Sequence, residues 1–128
     1  MAPFLCDTSN SRSYDLGKLI HDSEDFSIRI GRAKNCEIRP EDNESNYPAV
    51  SRHHATISRI RGDLTIQDVG SRHNTVILSM GNKTTLKKDD FTFFEPGQRL
   101  SFAGWDLDYK DSLPIKYLFH KYTFHLFS

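Results

Sequence analysis

An excess of charge of either sign is missing from this chain of 128 residues: 17 lysines and arginines stand against 17 aspartates and glutamates. A protein that wraps a polyanion carries a strong basic excess. The balance speaks against direct nucleic-acid binding and implies that any anion site is local. Cysteine is scarce as well. Cys6 and Cys36 match no metal-ligand spacing and are too few for a disulfide scaffold. They are read as two reduced thiols of an intracellular protein. Long apolar runs are absent, so no membrane span is expected. The opening segment, Met1 to Asp7, has neither the basic region nor the apolar stretch of a signal peptide. Sustained helical periodicity, heptads, internal repeats and low-complexity tracts are also missing, which leaves bundles, coiled coils and solenoids without support.

Aromatic residues, by contrast, are plentiful: nine Phe, five Tyr and one Trp. They favour strands, and the apolar residues are arranged accordingly. Phe26 to Ile30 alternates apolar and polar side chains, and so does Ala55 to Ile60. After Arg61-Gly62-Asp63 comes Leu64 to Ile66, so residues 55–68 read as a hairpin. Thr75 to Leu78, Phe91 to Phe94, Arg99 to Phe102 and the aromatic run Tyr117 to Phe127 complete a set of short strands. Residues 39–48 are polar and turn-rich and read as a surface loop, with weaker breaks at Ser9 to Ser13 and Met80 to Lys83. Many short strands with turns between them predict an all-β fold, a two-sheet antiparallel sandwich with binding loops at one end. The length suits one domain over residues 1–128. Because the chain stops within a strand-like run, that domain is expected to come from a longer protein.

Three loop segments concentrate polar chemistry: Gly31-Arg32, Ser51-Arg52-His53-His54-Ala55, and Asp68-Val69-Gly70-Ser71-Arg72-His73-Asn74-Thr75. Each lies at the end of a predicted strand, where binding groups on a rigid scaffold are usually found. A phosphate dianion is held by arginine forks, short hydroxyls and exposed backbone N–H groups. Arg32, Arg52 and Arg72 offer the forks, Ser51 and Ser71 the hydroxyls, and Gly70 a tight turn. From Val50 to Thr75 four arginines face two aspartates, which is how an anion site looks on a neutral protein.

In this order the three segments resemble the forkhead-associated (FHA) domain family. Its pattern is Gly-Arg after a strand, then Ser-Arg-x-His-Ala, then Asp-x-x-Ser-x-Asn-Gly-Thr. Cys36-Glu37-Ile38 and Pro96 to Phe102 fit the family's later features, and the core motifs run from residue 26 to 78. The resemblance implies a module that captures phosphothreonine on a partner protein, with no cofactor, no metal and no catalysis. Phosphate binding would fall to Arg32, Ser51, Arg52 and Arg72. Gly31, His54 and Thr75 would support the site structurally, with His54 buried under the loop. Where the family has Asn-Gly, this chain has His73-Asn74, and these two would contact the peptide. Asn is the non-glycine residue that best tolerates a left-handed turn. A nuclear location and a role in DNA-damage or cell-cycle signalling are further expectations of the resemblance.

Other readings of the same residues are weaker. Adjacent His53 and His54 on a strand would point to opposite faces, which disfavours a zinc pair. Asp68, Ser71 and the histidines lack a nucleophile elbow or oxyanion loop. The alternative of the same fold is an interaction or dimerisation module that needs no phosphate, using a sheet face or the aromatic C-terminal run. Oligomeric state is left open.

Overall fold

A computed structural model describes residues 3–20, 27–40 and 47–112. It contains ten strands and one turn of helix: β1 (Phe4–Asp7), β2 (Ser13–Asp15), α1 (Leu16–Leu19), β3 (Ile28–Ile30), β4 (Ala55–Ile60), β5 (Asp63–Asp68), β6 (Thr75–Ser79), β7 (Asn82–Leu86), β8 (Phe91–Phe93), β9 (Arg99–Phe102) and β10 (Trp105–Lys110). They form a six-stranded sheet, β2-β1-β10-β9-β6-β7, and a four-stranded sheet, β3-β4-β5-β8. Every strand pairing is antiparallel, so the fold is the two-sheet sandwich that the sequence predicts.

The sheets close on one core because their inward positions alternate with outward ones. Ile28, Ile30, Ile57 and Ile66 from the smaller sheet meet Leu5, Ile77, Leu100, Phe102, Trp105 and Leu107 from the larger. Hairpin chemistry sets the register. Arg61-Gly62, Met80-Gly81 and Ala103-Gly104 all have positive φ at both residues and close β4–β5, β6–β7 and β9–β10. Two-residue hairpins of this hand need that geometry, and Gly at the second position supplies it without steric cost.

The strands predicted at 55–60 and 99–102 coincide with β4 and β9. The others shift by their neighbours. β5 extends to Asp63–Asp68 because its whole length pairs with β4. β8 stops at Phe93, and Phe94 instead turns into the core. The break foreseen at 80–83 is only the Met80-Gly81 turn; Asn82 and Lys83 already belong to β7. Phe26, residues 41–46 and the run Tyr117 to Phe127 lie outside the described residues.

One buried polar bond joins two strands that lie far apart in the sequence. The Trp105 indole donates to the Asp7 carboxylate over 2.9 Å, both groups being buried. Asp7 also accepts from the Ser9 amide and hydroxyl, at 2.9 and 2.7 Å, which shapes the β1–β2 hairpin. Asp7→Ala would leave a buried indole N–H without its acceptor. Such a loss costs about 1–3 kcal/mol, to be read as a lowered urea midpoint at unchanged slope.

Candidate functional site

The pairing places the three sequence motifs at one end of the sandwich. Ile30 faces Ala55, Ala55 faces Asp68, and Thr75 opens β6. The loops that follow Ile30, precede Ala55 and join Asp68 to Thr75 therefore emerge side by side. Gly31 is there because nothing larger fits: a Cβ would collide with the Arg52 carbonyl and lie 2.8 Å from that of Ser51. The close approach lets Arg32 N donate to Ser51 O at 3.1 Å and Ala33 N to Arg52 O at 3.0 Å. Arg32 also donates through Nε to the Val50 carbonyl. Backbone and side chain thus tie Arg32 to the segment that carries Ser51 and Arg52.

His54 is fully buried. The His54 amide donates to Ile30 O at 2.9 Å, and Val69 N donates to His54 O at 3.2 Å. Its ring bridges two loops. Nδ1 lies 3.1 Å from the Ser51 amide and Nε2 lies 2.8 Å from the Asn74 carbonyl. An amide can only donate and a carbonyl can only accept, so the ring is neutral with its proton on Nε2. Phe102 packs edge-on against it at 5.4 Å. Burial pushes the imidazole pKa below its ordinary 6.5, against the opposing pull of the Asn74 carbonyl and Asp68.

Asp68 organises the third loop. It is also fully buried, and its carboxylate accepts from Gly70 N at 2.8 Å, Ser71 N at 2.9 Å, Ser71 Oγ at 2.5 Å and Thr75 Oγ1 at 2.8 Å. Burial alone would raise its pKa; these donors reverse the effect and hold it below 3.8. The Ser71 hydroxyl is therefore engaged with Asp68, and its part is in bracing the loop rather than in facing a ligand.

The braced loops leave a definite surface. Ser51 Oγ accepts from Arg72 N at 2.9 Å. An oxygen used as acceptor still has its own proton to donate, so the hydroxyl is set to meet an incoming acceptor. Arg52, His53, Arg72 and His73 are exposed. Asn74 takes φ 67°, the left-handed turn that its position demands, and its carbonyl serves His54. The structure thus gathers Gly31, Arg32, Ser51, Arg52, His54, Arg72, His73, Asn74 and Thr75 at one end of the fold. It adds a neighbour that the sequence did not flag: the turn at residues 87–90, joined to Asp68 by Asp89 N donating to Asp68 O and Asp68 N to Asp90 O, at 2.7 and 3.1 Å. Its only mark in the sequence is the polar Lys-Lys-Asp-Asp run. No group of His, Cys, Asp and Glu among the described residues could hold a metal ion.

Comparison with known proteins points the same way. A family model for the FHA domain matches residues 28–103, more than half of the chain. No curated protein matches. Solved structures do. One described as an engineered FHA with a Myc-pTBD peptide is 16% identical, with a TM-score of 0.65, over 91% of this chain and 94% of that one. Mycobacterium tuberculosis EmbR, in complex with a low-affinity phosphopeptide, is 18% identical with a TM-score of 0.63 over 88% of this chain. This chain spans 25% of EmbR's length. An FHA domain from Arabidopsis thaliana is 19% identical with a TM-score of 0.62, over 87% of each chain.

The His54 ring makes a pH test available. Its pKa is lower folded than unfolded, so its contribution to stability is complete above 6.5 and is lost as pH falls through the folded value. Unfolding midpoints measured from pH 7.5 down to 5 are expected to fall in the wild type. In His54→Gln the starting stability is lower and that part of the slope disappears.

Proposed function

The chain belongs to the FHA domain family, and we propose that this protein is a phosphothreonine-binding module acting on a partner protein rather than an enzyme. FHA domains are interaction modules. The observation that carries the reading is the Ser51 hydroxyl. It is held by Arg72 N on its acceptor side, with its proton left to donate, beside the immobilised Arg32. A threonine phosphate would take the Ser51 proton, the Arg32 guanidinium and the exposed cations of Arg52 and Arg72. Backbone groups of the peptide would meet His73 and Asn74. The solved FHA structures described with phosphopeptides support the class of partner. A nuclear setting in DNA-damage or cell-cycle signalling rests on the family resemblance alone.

Charge-assisted hydrogen bonds contribute about 1.5–3 kcal/mol each. Arg32→Ala should therefore weaken capture of a phosphothreonine peptide by roughly one to two decades, and Ser51→Ala by about one. Arg32→Lys keeps the charge without the fork and should recover only part of the loss. Fluorescence anisotropy with phosphorylated and unphosphorylated versions of one peptide reads all three. Unchanged binding in Arg32→Ala would falsify the phosphate assignment.

A phosphate-independent interaction module is the second reading. It is favoured by Phe91 and Phe93, which are 54% and 51% exposed on β8 at the edge of the smaller sheet. Partner capture that survives phosphatase treatment and is lost on replacing both phenylalanines by serine would favour it.

A further inference from the structure

Lys88 lies against the loop that carries Ser71 and Arg72. A Cβ placed on Gly70 would be 3.6, 3.7 and 3.8 Å from Cγ, Cδ and Cε of Lys88. Three successive carbons at nearly constant distance mean that the stem runs flat across the Gly70 α-carbon. This position is built rather than incidental. The turn bearing Lys88 is closed by Asp90 N to Lys87 O at 2.9 Å and by Lys87 N to the Asp90 carboxylate at 3.0 Å. It is fastened to Asp68 through the two backbone bonds described above, and to Gln67, whose side chain donates to Asp89 O at 3.1 Å. Asp68 in turn holds Gly70 and Ser71. One buried carboxylate residue therefore positions both the Ser71–Arg72 loop and Lys88.

In the sequence Lys87 and Lys88 are cancelled by Asp89 and Asp90. In space they are not equivalent. The Asp90 carboxylate is engaged by a backbone N–H of the turn itself, whereas Lys88 is extended across the binding loop. No ion pair holds Lys88 among the described residues. Its stem packs against Gly70 and the residue as a whole is exposed, the usual way for lysine to combine an apolar contact with a solvent-facing charge.

We propose that Lys88 forms a second subsite, selecting peptides that carry another anionic side chain close to the phosphothreonine. This rests on the phosphothreonine reading and narrows it to a class of partner: segments with an acidic or a second phosphorylated residue beside the first. The subsite comes from the turn between β7 and β8, outside the three motifs that supply the phosphate pocket. Its Coulombic gain is modest at an exposed site and falls with salt.

The test uses short synthetic peptides with a central phosphothreonine on a neutral alanine and serine background. A single aspartate is walked through the remaining positions, and a phosphoserine through the same positions in a second series. Affinities are measured by fluorescence anisotropy for the wild type, Lys88→Ala, Lys88→Glu and Arg32→Ala. Wild type is expected to gain about threefold from aspartate at one or two positions, and more from phosphoserine. The gain should vanish in Lys88→Ala, reverse in Lys88→Glu and shrink at high salt. Binding of the neutral phosphopeptide should stay within about twofold in both Lys88 variants. A gain that persists in Lys88→Glu, or no gain at any position, overturns the subsite. If the neutral phosphopeptide still binds through Arg32, only the subsite has failed. If wild type ignores phosphothreonine altogether, both readings fall. A preference for phosphoserine with none for aspartate would assign the subsite to doubly phosphorylated segments.

Discussion

The His54 ring accepts a hydrogen bond from the Ser51 amide on one side and donates one to the Asn74 carbonyl on the other. Ser51 precedes β4 in the smaller sheet, and Asn74 precedes β6 in the larger. The imidazole is thus a strut between the two layers of the sandwich at the end where the polar motifs emerge. It can perform this task only while neutral, because both of its nitrogens are already committed to fixed partners. Asp68 complements it with four accepted hydrogen bonds inside the 70–75 loop. Together the two buried groups satisfy backbone and hydroxyl donors that would otherwise need water, and so determine which polar atoms still face outward. Ser51 Oγ, Arg72 and the exposed Arg52 form that outward set.

This division is how a neutral protein could carry the proposed anion site. The acid that braces the third loop, Asp68, is buried and surrounded by donors. Its charge is spent on the loop's own N–H and O–H groups, while Arg52 and Arg72 are exposed to solvent. Other charges are paired away from the site: Arg29 with Glu37 along β3, and Arg99 with Asp108 across β9 and β10. Net charge is a whole-molecule quantity, whereas a phosphate responds to the few groups within a Debye length or less. Equal counts of acid and base are compatible with a strongly polarised end.

The sheet class and the three motifs that converge at one end of the sandwich were legible because their signals are local. Alternation at 55–60 and the three ordered motifs needed only neighbouring residues. What was not legible depends on distant partners or on little side-chain signal. β2 has three residues and β7 is almost wholly exposed, so each exists because a neighbour pairs with it. Trp105, Leu107 and Tyr109 in β10 do alternate buried with half-buried positions, but Asp106 and Asp108 between them are poor strand formers and weaken the local signal. Lys88 had no chance of recognition, since its place beside Gly70 is made by hydrogen bonds from residues 89 and 90 to Asp68, some twenty positions earlier.

The His73-Asn74 pair, where the family pattern has Asn-Gly, is where sequence and geometry inform each other most. At φ 67° a β-branched or bulky residue would be strained, while Asn pays little. The backbone of that turn is therefore kept, and with it the Asn74 carbonyl that His54 requires. What changes is the exposed residue before it. His73 is exposed on a turn whose shape is already fixed by His54 and Asp68, so under the proposed reading a substitution there would alter the chemistry offered to a peptide while leaving the braces of the loop in place. The fold separates the two tasks: buried His54, Asp68 and Thr75 hold the loop, and the exposed position 73 can change without removing any of those braces.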